Sequence, residues 1–269
     1  MPAYILAYFQ KHKSLIEENL NLCNDPGDVE AIHNLRLSIK RIRVVGRLAD
    51  LLSNNTFDTK STSGGISKLF KRAGRLRDVQ VIGQLLVDFQ NKDLDPVIEM
   101  FTRRETKQRL KFEQALAAFR KDTLENYEEN LVNVLNSTSS RQALMAGQKL
   151  LSALEIEIHE LFHGSTHEKR LHDIRTRLKD INYLNNIFDE QLPVQEQLHI
   201  SVERLRELGE LAGSWHDHLN LEKKIRKFIR KSPSEKSTGS LSDIVVELKQ
   251  KKQELYQEYV CILINEVKI

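Results

Sequence analysis

Basic side chains between residues 33 and 47 recur at the spacing of one helical face. At about 100° per residue they occupy a stripe roughly 80° wide. The stripe consists of His33, Arg36, Lys40, Arg43 and Arg47. Like charges three or four residues apart repel each other by some tenths of a kcal/mol per pair. A helix that keeps such a stripe is therefore predicted to bind an anion, and Arg and Lys are the side chains that hold phosphate oxygens.

The stripe occurs a second time, 139 residues further along the chain. His33, Arg36, Lys40, Gly74 and Asp78 are matched by His172, Arg175, Lys179, Gly213 and Asp217. In both copies the histidine precedes the aspartate by 45 residues. Because two separate segments keep one register, the sequence predicts a duplicated helical unit, and duplicated units commonly pack around a pseudo-twofold axis.

A further basic run lies on the next predicted helix of the first copy, and the second copy lacks it. The run consists of Lys68, Lys71, Arg72 and Arg75, and the matched positions hold Glu207, Glu210, Leu211 and Ser214. Over residues 33–77 eleven Lys or Arg face two Asp, a net +9 in 45 residues, whereas the whole chain carries +3. This imbalance predicts a polyanion partner, with the first half supplying more of the binding.

Composition and periodicity predict an all-α protein. The 269 residues include 11 Gly and 5 Pro, and 40% are hydrophobic and 29% charged, which is typical of a globular chain with few turns. Apolar residues recur every three or four positions between the prolines. The predicted helices cover about 3–22, 28–52, 66–89, 96–136, 141–163, 167–191, 193–230 and the remaining carboxyl-terminal segment. The fourth helix is long enough to break near residues 121–122, and residues 54–65 and 232–240 are predicted loops.

The eight helices predict two four-helix bundles related by the 139-residue repeat. The expected organisation is a single domain over residues 1–269, with halves of about 1–138 and 139–269. Two cysteines, Cys23 and Cys261, favour a reducing compartment and argue against a metal site built from cysteines. The first ten residues lack a basic region and a long apolar run, so we expect a cytoplasmic protein without a membrane partner.

Two short motifs allow an enzymatic interpretation. Residues 159–163 match the zinc-protease pattern H-E-x-x-H, but Gly164 follows at once and no third ligand stands at a useful spacing. His172-Asp173 and His216-Asp217 allow a metal-dependent phosphohydrolase of the HD type. Cations surround these pairs, which disfavours a metal ion, so Asp78 and Asp217 are predicted to hold a facing Arg or Lys or to cap a neighbouring helix instead. Roles of His159 and His163 stay open.

Nucleic acid and a purely structural role are the remaining alternatives. Trp215 and the six tyrosines are not interleaved with the basic stripe, so a stacking platform for single strands is absent from the pattern. Weak, salt-sensitive binding of nucleic acid is still expected from the charge. A helical scaffold predicts that the basic stripes have no ligand at all.

The motifs of both halves resemble those of the CHAD family, the histidine-marked α-helical domains. The resemblance rests on His33-x-x-Arg36-x-x-x-Lys40-Arg41-x-Arg43, Gly74-x-x-Arg77-Asp78-Val79, His172-x-x-Arg175-x-x-x-Lys179-x-x-x-Tyr183 and the segment from Gly213 to Asp217. It covers residues from about 3 to 265. The chain departs from the pattern at Asn182, where a basic residue is expected, and at the acidic positions near residues 207–210.

The resemblance implies two four-helix bundles and non-enzymatic binding of inorganic polyphosphate in a basic groove or pore between them, without a cofactor. It also implies an association with polyphosphate granules. The phosphate ligands that it implies are His33, Arg36, Lys40, Arg43, His172, Arg175 and Lys179, supported by Arg47, Lys68, Lys71, Arg72 and Arg75. Oligomeric state, preferred chain length and bound counterions do not follow from it.

Overall fold

A computed structural model describes residues 1–25, 28–57, 59–120, 122–163, 168–188, 202–231 and 235–267. In these ranges the chain forms nine α-helices and a short 3-10 helix over Lys92–Leu94, and no strand. The helices are α1 (Ala3–Leu22), α2 (Val29–Leu52), α3 (Thr59–Asp88), α4 (Asp95–Ala117), α5 (Asp122–Asn136), α6 (Ser140–His163), α7 (Glu168–Ile187), α8 (Val202–Lys231) and α9 (Glu235–Val267). The all-α prediction is confirmed.

Local sequence signals position several of the helix ends. The Asp28 side chain caps α2 by accepting a hydrogen bond of 2.7 Å from the backbone N–H of Ala31. Pro96 lies in the first turn of α4. A backbone N–H at this position has no acceptor within the helix, so proline costs no hydrogen bond there. The long fourth helix of the prediction is broken between α4 and α5, as expected near residues 121–122. Pro193 lies outside the described residues.

Two predicted loops are in part helical, and this prediction is wrong for residues 59–65 and 235–240. Helix α3 begins at Thr59 and α9 at Glu235. Packing accounts for the first case, because a Cβ at Gly65 would lie 3.4 to 3.8 Å from atoms of Thr123 and Phe119. Tertiary contact of this kind overrides the low helix propensity of Ser, Thr and Gly.

Both halves share the interior of the protein. In each half the successive helices pack in the same order, α1 to α4 in the first and α6 to α9 in the second, while α5 packs against α1, α2 and α3. The larger core combines the apolar faces of both histidine helices, Leu35, Ile39, Ile42, Ile174, Leu178 and Ile181, each at most 1% exposed. A smaller core joins α3 and α4 to α8 and α9. Each core therefore contains residues of both halves.

Helix α2 contacts α7, and α3 contacts α8, so four helices from the two halves meet. Their apolar faces point into the larger core, as predicted for α2 and α7. The polar faces of α2 and α7 are consequently held on the side that the core does not cover. None of the described helices is long and apolar enough to cross a membrane.

Candidate anion-binding site

Four cations of the two histidine helices lie close enough to act on one another, and we call them the central cluster: Arg36, Lys40, Arg175 and Lys179. Burial, and then the charges of Lys179, Arg36 and Arg175, lower the pKa of Lys40 to about 7. Burial and then Arg175 lower the pKa of Lys179 to about 8. Cations of the two histidine helices, from opposite halves of the chain, thus act on one another.

Ion pairs with described residues do not neutralise the charges of the central cluster. Within the described part of the chain, no carboxylate forms a salt bridge with any of the four. Arg36 donates from Nη1 to the carbonyl oxygen of Phe70 at 3.2 Å, and the buried Nε of Arg175 has no hydrogen-bond partner among the described residues. Cations held this way cost folding free energy unless an anion joins them.

Two glycines make room for the arginines at matched positions. A Cβ at Gly74 of α3 would lie 2.2 Å from Nη1 of Arg36, and a Cβ at Gly213 of α8 would lie 3.2 Å from Nη2 of Arg175. Each histidine helix therefore presses its arginine against the glycine of the following helix. Identical pairings at an offset of 139 residues support the predicted duplication. The sequence repeat identified both glycines, but it did not predict that they contact the arginines.

The aspartates of the repeat act on the same arginines. Among the cations, Arg36 acts most strongly on the pKa of Asp78, and Arg175 acts most strongly on the pKa of Asp217. Asp217 is half-buried, and burial raises its pKa while Arg175 opposes the shift. Asp78 is exposed. Each carboxylate thus lies in the field of the arginine of its own half without forming a salt bridge with it among the described residues, and its structural role stays a prediction.

Arg43 and Arg47 extend the stripe of α2 but have protein partners. The Cζ atom of Arg43 lies 4.0 Å from the ring centroid of Phe70, and its Nη2 lies 3.4 Å from Oγ of Ser67. Arg47 donates from Nη1 to Oδ2 of Asp180 on α7 at 2.9 Å. Arg47 thus forms an ion pair across the two halves, and its predicted part in phosphate binding competes with Asp180.

The histidines of the two stripes have different neighbours. Burial lowers the pKa of His33, and Arg77 lowers it further. The ring of His172 stacks on the ring of His216, with 4.5 Å between centroids. Burial lowers the pKa of His172 and lowers that of His216 to about 4. At neutral pH these imidazoles are uncharged, so they offer hydrogen bonds rather than positive charge.

Comparison with known proteins decides the family. The family model of the CHAD domain matches residues 7–226 of this chain. The chain belongs to the CHAD domain family.

A solved structure agrees with this assignment at the level of the fold. The crystal structure of the CHAD domain from the plant Ricinus communis is similar with a TM-score of 0.76 and 15% sequence identity. The match covers 98% of this chain and 90% of the plant chain. Among curated proteins, the comparison found none that matches this chain. The resemblance drawn from the histidine motifs is thereby confirmed.

The remaining predicted cations of this CHAD domain lie beside the central cluster rather than in it. Lys68, Lys71 and Arg75 are exposed on α3, and Arg72 is half-buried. None of them is among the charges that act most strongly on Lys40 or Lys179. Their part in binding stays a prediction, and their position suits contacts with a ligand that extends beyond the cluster.

The metal-dependent interpretations gain no support from the CHAD domain structure. Among the described residues, no group of three or more His, Cys, Asp or Glu side chains is arranged to hold a metal ion. His172 and His216 stack on each other beside Arg175, which repels a cation. The side chain of His163 lies outside the described residues, so the H-E-x-x-H motif is not tested there.

Proposed function

We propose that this CHAD domain binds inorganic polyphosphate without turning it over, in the groove where the polar faces of α2 and α7 meet. The observation that carries the proposal is the central cluster, in which two arginines and two lysines from both halves lie together without a salt bridge among the described residues. A polyanion in the groove supplies the missing negative charge.

The chemistry of the cluster suits phosphate. Polyphosphate is a flexible strand with about one negative charge per phosphate, and rows of cations bind such a strand by displacing its condensed counterions. Arg36 and Arg175 can each bridge two phosphate oxygens, whereas Lys40 and Lys179 act as point charges. The neutral imidazoles of the stripes add N–H donors. This combination favours a ligand with many equivalent oxygens over one with a single charged group.

Charge reversal at both arginines tests the proposal. Arg36→Glu combined with Arg175→Glu is expected to abolish retention of long-chain polyphosphate, while circular dichroism remains helical. A control that reverses Arg103 and Arg230, both exposed and outside the groove, makes the same change in net charge and is expected to keep retention. Retention by the groove variant would show that the polyanion binds elsewhere.

A salt series separates electrostatic binding from other modes. Isothermal titration with long-chain polyphosphate is expected to give a log K that falls linearly with log salt concentration, with a slope of about 0.7 per phosphate contact. A flat dependence would contradict the groove. Competition with single-stranded RNA measures whether the site prefers polyphosphate or any flexible polyanion. Chain length before and after incubation tests the absence of turnover, and a tagged protein tests a cytoplasmic location at polyphosphate granules.

A further inference from the structure

The amine of Lys40 has no partner among the described residues and keeps contact with solvent. Its Nζ atom forms no hydrogen bond or salt bridge with any of them. The described polar atoms that lack both a partner and solvent contact do not include Nζ, although the residue as a whole is half-buried. A small molecule can therefore reach this nitrogen.

The surroundings of Lys40 favour the neutral form of its amine. The charged and titratable groups that interact with it are His33, Arg36, Asp78, His172, Arg175, Lys179 and Asp180. Both imidazoles are neutral at neutral pH, and Asp180 is already paired with Arg47. Burial and the three cations lower the pKa of Lys40 to about 7. A lysine that is desolvated beside other cations becomes a nucleophile at neutral pH, because the neutral amine carries the free electron pair.

Two arginines act on this amine, and their chemistry selects one class of electrophile. A guanidinium binds two oxygens of a phosphate group at once, and Arg36 and Arg175 both lie in the electrostatic range of Lys40. In an acyl phosphate a single oxygen joins the phosphate to the carbonyl carbon, so docking the phosphate on an arginine brings the carbonyl to the amine. In a coenzyme A thioester the phosphates are remote from the carbonyl. The cluster therefore suits small acyl phosphates.

We propose that Lys40 is a site of acylation by acyl phosphates, which the arginines of the central cluster hold by the phosphate group. Nζ attacks the carbonyl carbon, the bond from that carbon to the phosphate oxygen breaks, and the phosphate leaves with the electron pair. The proton that the nitrogen loses goes to the departing phosphate, so the products are an amide and hydrogen phosphate. Arg36 and Arg175 stabilise the negative charge on the leaving group.

Acylation of Lys40 and binding of a polyanion oppose each other. The amide is uncharged, so the acylated protein is expected to hold polyphosphate less tightly. A bound polyanion raises the pKa of Lys40 and covers the amine, so it is expected to slow acylation. Only this reciprocal effect rests on the proposed function, because the acylation itself needs no polyphosphate.

Acetyl phosphate and 4-nitrophenyl acetate separate docking from simple reactivity, because they transfer the same acetyl group with and without a phosphate. The full chain is incubated with each reagent at neutral pH, and peptide mass spectrometry follows acetylation of Lys40 and of Lys107, the exposed control on α4. With acetyl phosphate Lys40 is expected to react at least about tenfold faster than Lys107, and with the ester this ratio is expected to be at least about threefold smaller. A Lys40 rate no higher than that of Lys107, or a ratio as large with the ester, would overturn the proposal.

The variant Arg175→Gln tests the docking of the phosphate. It is expected to slow acetylation of Lys40 by acetyl phosphate at least about fivefold, whereas Arg103→Gln, an exposed control on α4, is expected to leave the rate unchanged. Removing a cation also raises the pKa of Lys40, which slows both reagents alike. The loss with acetyl phosphate must therefore exceed the loss with the ester, and equal losses would show that Arg175 does not hold the phosphate.

Long-chain polyphosphate distinguishes failure of this proposal from failure of the proposed function. Saturating polyphosphate is expected to slow acetylation of Lys40 at least about tenfold and to leave Lys107 unchanged. Fast acetylation of Lys40 without protection would contradict polyphosphate binding in the groove and support the acylation. Retention of polyphosphate by a protein that acetyl phosphate does not modify at Lys40 would overturn the acylation and leave the proposed function intact.

Discussion

The two halves of the CHAD domain share an arginine–glycine contact and differ in the charges around it. Arg36 against Gly74 and Arg175 against Gly213 are equivalent contacts, made by equivalent helices. Around them the residue types diverge, because His33 has Arg77 as its cationic neighbour, whereas His172 stacks on His216 at the matched position. The comparison teaches that the arginine–glycine contact is the constant element of the site, and that the surrounding charges set how each half uses it.

The lysines of the cluster show the same divergence. Burial and three neighbouring cations lower the pKa of Lys40 to about 7, and Asp180 opposes the shift. Burial and two cations lower the pKa of Lys179 to about 8, and Asp217 and Glu210 oppose the shift. Lys40 therefore costs the unliganded protein more free energy than Lys179 does. The first half has the greater electrostatic strain and, by the same reasoning, the greater gain when a polyanion arrives.

The largest effects of this difference are expected when one lysine of the central cluster is removed at a time. Lys40→Met is expected to stabilise the unliganded protein by about 1 to 3 kcal/mol and to lower polyphosphate affinity at least about tenfold. Lys179→Met is expected to do both to a smaller extent, and Lys107→Met, the exposed control, to do neither. Thermal unfolding and titration calorimetry give the two quantities. A lower melting temperature for Lys40→Met would show that the cluster is not strained.

The pH dependence of stability reports on both lysines together. Their folded pKa values lie below the unfolded value of 10.5, so the unfolded chain binds more protons and stability rises with pH from about 7 to 9. The slope is at most about 1.4 kcal/mol per pH unit for each lysine. Below pH 7 Glu155 adds its own effect, because burial raises its pKa to about 7, and this sets the lower limit of the window.

Variants and ligand separate the two contributions to that slope. In Lys40→Met the rise is expected to begin nearer pH 8, and in the Lys40→Met, Lys179→Met double variant it is expected to vanish. Saturating polyphosphate is expected to flatten the slope of the wild type, because a bound anion raises the pKa of both lysines. Urea unfolding at pH 7, 8 and 9 measures the slope of stability against pH for each variant, with and without polyphosphate. A slope that persists in the double variant would assign it to other groups.

The sequence predicted most of the helices correctly, because helix faces and helix starts depend on residue patterns that are local in the chain. The period of apolar residues placed the buried faces of α2 and α7 correctly, and Asp28 and Pro96 marked helix starts by their own chemistry. The predicted starts of α3 and α9 were wrong. At the start of α3, residues of low helix propensity are helical where Gly65 approaches Thr123 and Phe119, a contact that the sequence does not display.

For the site, the cations followed from spacing, but their partners did not. The pairing of Arg47 with Asp180, the stacking of His216 on His172 and the space left by Gly74 depend on which helix faces which. These contacts join residues more than 30 positions apart in the chain. Only the 139-residue register gave an indirect signal, because it kept Gly74 and Gly213 at the same distance from their arginines.

Alanine at the two glycines breaks the constant element itself. In Gly74→Ala the new Cβ overlaps Nη1 of Arg36, so the flexible guanidinium moves and loses its bond to Phe70. Higher helix propensity of alanine offsets that loss, and stability is expected to change by less than about 1 kcal/mol. Polyphosphate affinity is expected to fall about fivefold, and about twofold for Gly213→Ala, where 3.2 Å leaves more room. Equal losses would show that the tighter contact has no functional weight.

The smallest expected effect concerns the bridge between the halves, which has no symmetric counterpart. Arg47 pairs with Asp180, whereas the matched positions hold Asn186 and Arg41. Arg41 lies 5.7 Å from the ring centroid of Tyr183 and forms no ion pair with a described residue. Because Arg47 is 37% exposed, Asp180→Asn is expected to change stability by less than about 1 kcal/mol.

Binding distinguishes a bridge that restrains Arg47 from one that only joins helices. Asp180→Asn releases Arg47 and removes a carboxylate that acts on Lys40, so polyphosphate affinity is expected to rise about twofold. Arg47→Gln leaves Asp180 without its cation, and affinity is expected to fall by a similar factor. If titration calorimetry shows higher polyphosphate affinity for Asp180→Asn and lower affinity for Arg47→Gln, Arg47 is one of the phosphate ligands. Losses of equal size in both variants would instead make the pair structural, because each variant then acts through the same broken contact between α2 and α7.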